Sequence, residues 1–360
     1  MTLLFAAGGT GGHIFPALAL GERLQISLKR INWHLLYIGR KNSLEQDLAK
    51  KYGFDFSVLP ATGFFGKNLW HKMLFFLNLL LAIGYWIKLI RKHRAGAVIA
   101  TGGFSSLVPL LGAIILKKPI FILELNRIPG RITKYFARVA KEIYLGFPLA
   151  KPLKGNFYYT GSPLRKELVF LALQTRQKPI ESKRTVVLVL GGSLGARALN
   201  LVAVQLANKY PDIEFIIQTG KRDYDLIRKK VKSTNCHLID FTLKPEENYA
   251  KATIVLTRAG ALSLSEILAF GIPAIIVPFP FATDNHQQAN AFYLAKEGAA
   301  IVLDQSQLDK LEDTLLFLIN DKEQQKKMRT CAWRLARYDA AEKIAERITN
   351  YLGKQCSGKM

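Results

Sequence analysis

Cysteine is scarce and dispersed: Cys236, Cys331 and Cys356 form no CxxC pair and no even framework. That excludes a disulfide scaffold and a thiolate zinc site, and it points to a reducing compartment. Acidic residues are few, 27 Asp and Glu against 51 Lys and Arg, a formal charge of +24. No GK[ST] occurs, which excludes a Walker phosphate loop. No low-complexity segment or short repeat is present. The opening MTLLFAA has no basic stretch and too short an apolar run for a secretory leader, so none is expected.

What is present describes a folded protein, with 49% hydrophobic and 22% charged residues in 360 positions. That length suits two domains, because single cores stop growing at roughly 250–300 residues. The positive excess favours an anionic partner: nucleic acid, an anionic membrane surface or a phosphorylated substrate.

Apolar strand-like runs alternate with helical patterns. TLLFAA, WHLLYIG, FSVLP, AGAVIATGG, PIFILE and EIYLG read as the first set of strands. The pattern weakens across GFPLAKPLKGNFYYTGSPLRKEL and restarts at RTVVLVLGGSLGARALN. EFIIQTG, HLIDF, TIVLTRAG, PAIIVPF and AAIVL follow. Such alternation implies parallel strands with helices on both faces. We expect two doubly wound, Rossmann-like α/β domains, 1–162 and 163–340, with a helix in 341–360 returning to the first.

Glycine turns follow the strands at GGTGGH (Gly8–His13), ATGGFSS (Ala100–Ser106) and GGSLGA (Gly191–Ala196). A glycine turn between a strand end and a helix start is suited to phosphate, because free N–H groups and the helix dipole favour an anion. The dinucleotide fingerprint fails: after Gly9 and Gly11, position 14 is Ile, and no acidic residue stands clearly where a ribose would be read. In the stretch Thr257–Asn290, RAGA turns into a helix with Ser263, Ser265 and Glu266 expected in its first turn. Hydroxyls and free N–H groups there suit a diphosphate, although a carboxylate at that place also simply complements the dipole. The paired glutamines of DNHQQAN suit sugar hydroxyls, or merely cap a helix.

Seven pieces in order, GGTGGH, TGGFSS, ELNRIPGRITKYFA, TGSPLRKEL, GGSLGARALN, RAGALSLSE and DNHQQAN, span nearly the whole chain. Together they resemble the GT-B glycosyltransferases, and specifically the bacterial MurG family, which adds N-acetylglucosamine to lipid I to form lipid II for peptidoglycan. The resemblance implies a GT-B fold, two Rossmann-like domains facing across a cleft. It places UDP-N-acetylglucosamine against the second domain, with the uracil near Phe241, Thr242 and Arg165. Ser193 and the helix start of Ala261, Leu262, Ser263, Leu264 and Ser265 would hold the diphosphate, with Glu266 on the ribose. Asn126, Gln287 and Gln288 would hold the sugar. Thr10, Gly11 and Gly12 would approach both donor and acceptor, and Gly11, Gly12, Gly102 and Gly103 would hold the acceptor diphosphate. The chain departs from the family at Leu125, where glutamine is usual.

Inverting transfer needs a base for the acceptor hydroxyl, and a side chain with a pKa near 7 is efficient. His13, directly after its glycine turn, is the first candidate; Glu124 is the second, or it orients a partner. Helix amino ends and arginine can meet the leaving charge, so neither metal nor cofactor is expected. Asp223-x-Asp225 resembles a metal-binding pair but reads as a solvated helix face.

The segment 68–94 is apolar at 73–90, nearly long enough to span a bilayer. It lies between strands of one sheet and is interrupted by Asn78 and Lys88, so a spanning helix is not expected. One face should be buried. Trp70, Phe75, Phe76, Leu79 and Trp86, with Lys72 and Arg91, are expected to dock on the anionic cytoplasmic leaflet of the inner membrane. Peripheral localisation follows, with lipid I, membrane lipids and other cell-wall synthesis proteins as the expected partners. A UDP-N-acetylglucosamine epimerase or another glycolipid glycosyltransferase shares the fold. A non-enzymatic basic binder of membrane or nucleic acid would explain the charge but not three glycine turns, and no nucleic-acid motif is found.

Overall fold

The computed structural model describes residues 1–8, 11–59, 69–177, 184–191 and 195–357; the side chains of 59, 69–78, 104, 356 and 357 lie outside the description. The chain divides into two units. Unit 1 comprises Met1–Leu125, Pro129–Pro163 and Asp339–Met360, and unit 2 comprises Asn126–Ile128 and Leu164–Tyr338.

Unit 1 is built on strands β1 (Thr2–Ala6), β2 (His34–Arg40), β3 (Asp55–Leu59), β4 (Ala95–Ala100), β5 (Ile120–Glu124), β6 (Glu142–Leu145) and β7 (Phe157–Tyr159). Their order is β3-β2-β1-β4-β5-β6-β7, and every pairing is parallel. Central strands such as β5 are buried along their whole length, as continuous apolar runs require when helices cover both faces. β7 was not expected, because its three residues lie among glycines and prolines that break the pattern.

The helices of unit 1 are α1 (Gly11–Lys29), α2 (Leu44–Lys51), α3 (Leu69–Lys92), α4 (Leu107–Ile115) and α5 (Arg131–Phe136). On one sheet face Leu18, Leu24 and Leu28 of α1 pack with Phe5, Tyr37 and Phe121. On the other, Leu89 and Ile90 of α3 and Leu110 of α4 pack with Leu4, Val98 and Ile122.

Unit 2 carries β8 (Val186–Leu190), β9 (Glu214–Gln218), β10 (Cys236–Ile239), β11 (Ile254–Thr257), β12 (Ala274–Ile276) and β13 (Ala300–Val302), in the order β10-β9-β8-β11-β12-β13 and again all parallel. Its helices are α6 (Lys166–Gln177), α7 (Arg197–Lys209), α8 (Tyr224–Arg228), α9 (Pro245–Lys251), α10 (Ala261–Phe270), α11 (His286–Lys296), α12 (Leu311–Asn320) and α13 (Lys322–Leu335). The final helix, α14 (Ala340–Ser357), belongs to unit 1. There Ile344, Ile348 and Leu352 are fully buried with the α1 side of the core, and Arg347 makes a two-pronged bond to Glu142 at 2.9 and 3.0 Å.

In each sheet the strand order reverses once, at β1/β4 in unit 1 and at β8/β11 in unit 2. Open parallel sheets bind ligands outside the carboxyl ends of their strands at such a point, where successive connections leave to opposite sides. The glycine turns fall at these two places.

Candidate active site

In unit 1, β1 ends at Ala6 and the chain passes through GGTGG into α1, while β4 ends at Ala100 and passes through Thr101–Gly103. Gly102 and Gly103 have φ of +71° and +72°, which a side chain would strain. Ser105 Oγ donates to the Gly8 carbonyl at 3.2 Å and ties the two turns together. His13 lies in the first turn of α1, partly exposed, with its Nε2 3.3 Å from where a Cβ on Gly103 would stand. Thus Gly11, Gly12, His13, Gly102 and Gly103 gather at one switch point. Thr10 lies outside the described residues.

Glu124, at the end of β5, is 5% exposed; its Oε2 accepts from Gly130 N at 2.9 Å and Thr133 Oγ1 at 2.7 Å. A carboxylate committed to two donors holds the start of α5, which fits the positioning alternative better than the base.

In unit 2, Gly195 (φ +78°) and Ala196 lead from the β8 turn into α7, and Ser193 lies outside the described residues. From β11, Arg258–Gly260 lead into α10. Gly260 is its N-cap and makes no side-chain cap bond. The helix begins at Ala261, so Leu262, Ser263 and Leu264 complete its first turn, and Ser265 and Glu266, both expected in that turn, fall in the second. The dipole explanation of Glu266 is therefore corrected, since that effect fades within one turn. Ser265 donates to the Ala261 carbonyl at 3.0 Å.

Glu266 is buried, accepts from the Tyr249 hydroxyl at 2.9 Å, and has its pKa pushed up to about 7 by burial. Arg165, also buried, donates to the Leu243 carbonyl at 2.6 Å and to Glu246 at 3.3 Å. It thereby fixes the loop after β10, where Phe241 and Thr242 are half-buried and Thr242 Oγ1 accepts from Lys244 N at 3.0 Å.

Asn126, a member of unit 2, accepts from Asn290 Nδ2 at 3.0 Å, and Asn290 Oδ1 accepts from Arg127 N at 3.1 Å. Gln287 Oε1 accepts from Ala259 N and Phe279 N, pinning the loops after β11 and β12. Gln288 beside it is exposed. Asn290 and Arg258, which sequence reasoning did not single out, complete this frame. The guanidinium of Arg258 bonds the Val277 and Pro278 carbonyls and Gln305.

Two further expectations are corrected. Trp86 is 1% exposed and packed against α4, so it belongs to the core and cannot meet lipid. Leu79 packs partly on the same core. Trp70, Lys72, Phe75 and Phe76 belong to α3, but their side chains lie outside the description; Arg91 is exposed. Asp223 is not solvated. It is fully buried and bonded to Arg197 at 2.6 Å. Burial pushes its carboxyl up, and hydrogen bonds from Arg197 and Arg222 more than reverse that, leaving it below its usual value. Among the described residues no three His, Cys, Asp or Glu are grouped to hold a metal ion. Among them, too, no helix is long and apolar enough to cross a membrane.

The glycosyltransferase family 28 N-terminal domain matches residues 3–145, and the C-terminal domain of that family matches residues 186–345. UDP-N-acetylglucosamine–N-acetylmuramyl-(pentapeptide) pyrophosphoryl-undecaprenol N-acetylglucosamine transferases are similar over nearly full length. The one from Nitrosospira multiformis is 34% identical, covering 96% of this chain and 97% of its own. That from Methylococcus capsulatus is 35% identical with the same coverage. The crystal structure of Acinetobacter baumannii MurG superposes with a TM-score of 0.75 at 25% identity, over 97% of this chain and 99% of that one. The chain belongs to glycosyltransferase family 28, with the MurG proteins.

Family 28 membership makes the chain a UDP-N-acetylglucosamine-type glycosyltransferase with two Rossmann-like domains of the GT-B kind. A UDP-GlcNAc 2-epimerase from Neisseria meningitidis shares the fold alone, with a TM-score of 0.65 at 14% identity over 97% of this chain and 100% of that one. Four of the seven pieces that carry the resemblance, GGTGGH, TGGFSS, GGSLGARALN and RAGALSLSE, follow the strands at the two switch points.

Proposed function

We propose that the protein transfers N-acetylglucosamine from UDP-N-acetylglucosamine to the 4-hydroxyl of the N-acetylmuramoyl sugar of lipid I, with inversion, giving lipid II. The observation that carries this is near-full-length similarity to transferases named for that reaction. The donor belongs to unit 2. Its diphosphate lies at the α10 amino end, where free N–H groups and the dipole favour an anion. Its ribose hydroxyls meet Glu266, its uracil meets the loop at Phe241–Thr242 that Arg165 holds, and its sugar meets Asn126 and Gln288, with Gln287 supporting. Bonds from the α10 amino end strengthen as the leaving diphosphate gains charge, which is where stabilisation accelerates the step.

The acceptor diphosphate belongs to unit 1, at Gly11, Gly12, Gly102 and Gly103. Gly102 and Gly103, both left-handed, let the backbone approach an anion that side chains would keep away. His13, next to them, takes the proton of the 4-hydroxyl as the new bond forms, one sugar away from the diphosphate. Helix ends and arginine carry the charge, and the reading calls for no metal.

The acceptor is lipid-borne, so the protein works peripherally at the cytoplasmic face of the inner membrane. Leu80, Leu81 and Tyr85 of α3 are exposed, with Lys88, Arg91 and Lys92 exposed further along the helix. Apolar side chains beside a cationic cluster suit an anionic leaflet. The test is transfer of labelled sugar from the donor to a lipid I analogue; release of free UDP with an epimerised sugar instead would overturn the reading.

A further inference from the structure

The carboxylate that the proposed function sets against the donor ribose is not an isolated group. Glu266 sits where α9, α10 and the start of α6 meet, in a buried set with Arg165, Glu246 and Tyr249. Tyr249 is 2% exposed, its ring stacks on Phe270 at 5.4 Å, and its hydroxyl donates to Glu266 Oε2 at 2.9 Å. Arg165 spends its guanidinium on Glu246 and the Leu243 carbonyl. One cation therefore serves two carboxylates. The set is neutral when Glu266 is protonated and carries one negative charge when it is ionised.

We infer that Tyr249 is a positioning residue for donor binding, keeping Glu266 ionised and aimed, so that affinity for the nucleotide sugar is set by proton occupancy of this buried set. An ionised carboxylate accepts from both ribose hydroxyls at once, and a protonated one has lost part of that capacity and its charge. The Tyr249 hydroxyl favours the ionised form by donating to it, Arg165 favours it by charge, and Glu246 opposes it. α13, which also packs on α10, brings Trp333 against Gly271. Burial raises the Glu266 pKa to about 7, which puts the transition inside the working range. Because the folded pKa is raised, the ionised form is populated only as pH rises through it, and donor affinity rises with pH there.

This inference rests on the reading that Glu266 contacts the ribose. The experiment is calorimetric titration of UDP-N-acetylglucosamine, whose diphosphate diester does not titrate in the range, between pH 6 and 8.5. The native protein should gain affinity through a midpoint at about 7. Tyr249→Phe should move the midpoint up by about one pH unit and weaken binding roughly fivefold at pH 7, with recovery at pH 8.5. In turnover its loss should appear in KM for the donor rather than in kcat. Glu246→Gln, which frees Arg165 to act on Glu266, should move the midpoint the opposite way, and Glu266→Gln should abolish the pH dependence. An unmoved midpoint in both Tyr249→Phe and Glu246→Gln, while Glu266→Gln weakens binding, would overturn this inference and leave the ribose reading standing. Native affinity in Glu266→Gln, or equal binding of a 2′-deoxyuridine donor, would overturn the ribose reading itself.

Discussion

The Nε2 of His13 faces Gly103 so closely that a methyl group on that glycine would lie 3.3 Å from it. The two residues come from different turns, one after β1 and one after β4, and meet because the strand order reverses between those strands. Gly103→Ala imposes two penalties: a left-handed φ of +72° and pressure on the imidazole. The backbone part costs about 1 kcal/mol of stability. Turnover should fall about tenfold or more through displacement of the base, while binding of UDP-N-acetylglucosamine stays native. Kinetics together with denaturant unfolding separate the two effects.

His13→Ala removes the proposed base without touching unit 2. General-base contributions are typically about 10²–10⁴-fold, so kcat should fall by that order with donor KM little changed. Steady-state kinetics with a soluble lipid I analogue checks this. Near-native kcat in a folded His13→Ala protein would transfer the role elsewhere.

Helix α14 completes a core that begins more than three hundred residues earlier. Ile348 is fully buried against the α1 face, and truncating a residue so placed costs about 2–5 kcal/mol. Ile348→Ala should therefore lower the urea midpoint markedly. Lys343→Ala, whose partner Asp339 shares an exposed pair, should change it by less than about 0.5 kcal/mol.

Leu80, Leu81 and Tyr85 are exposed on α3, and Trp86 beside them is not. Replacing the first three with serine should abolish flotation with anionic vesicles and leave donor binding intact. Native flotation should also weaken as salt rises, because the cationic part of the attraction is screened within a Debye length of about 8–10 Å. Flotation of the triple variant equal to native would place the contact elsewhere.

Much of the fold was legible because it rests on period and punctuation. Continuous apolar runs mark strands covered on both faces, and glycine clusters mark the turns at their carboxyl ends. What was not legible depended on which way a side chain faces. Trp86 and the exposed Leu80 and Leu81 lie on one apolar helix, and composition does not say which of them meets the sheet. Asp223 sits in a charged segment and looks solvated, yet it turns inward to Arg197. Glu266 reads as a helix-start acid until the first residue of α10 is known. The strand β7 is three residues long and leaves almost no periodic signal. That glycines and His13 stand at the unit 1 switch point was recoverable from spacing. The supporting bonds of Asn290, Arg258 and Tyr249 join distant segments and leave no local pattern.

The most direct test is incubation of the purified protein with UDP-[14C]-N-acetylglucosamine and a lipid I analogue, followed by analysis of the glycosidic linkage in the lipid product. The account predicts a β-1,4-linked disaccharide on the lipid, formed from an α-linked donor, with release of one UDP for each sugar transferred. Label that stays off the lipid, or appears there in α linkage, would contradict it.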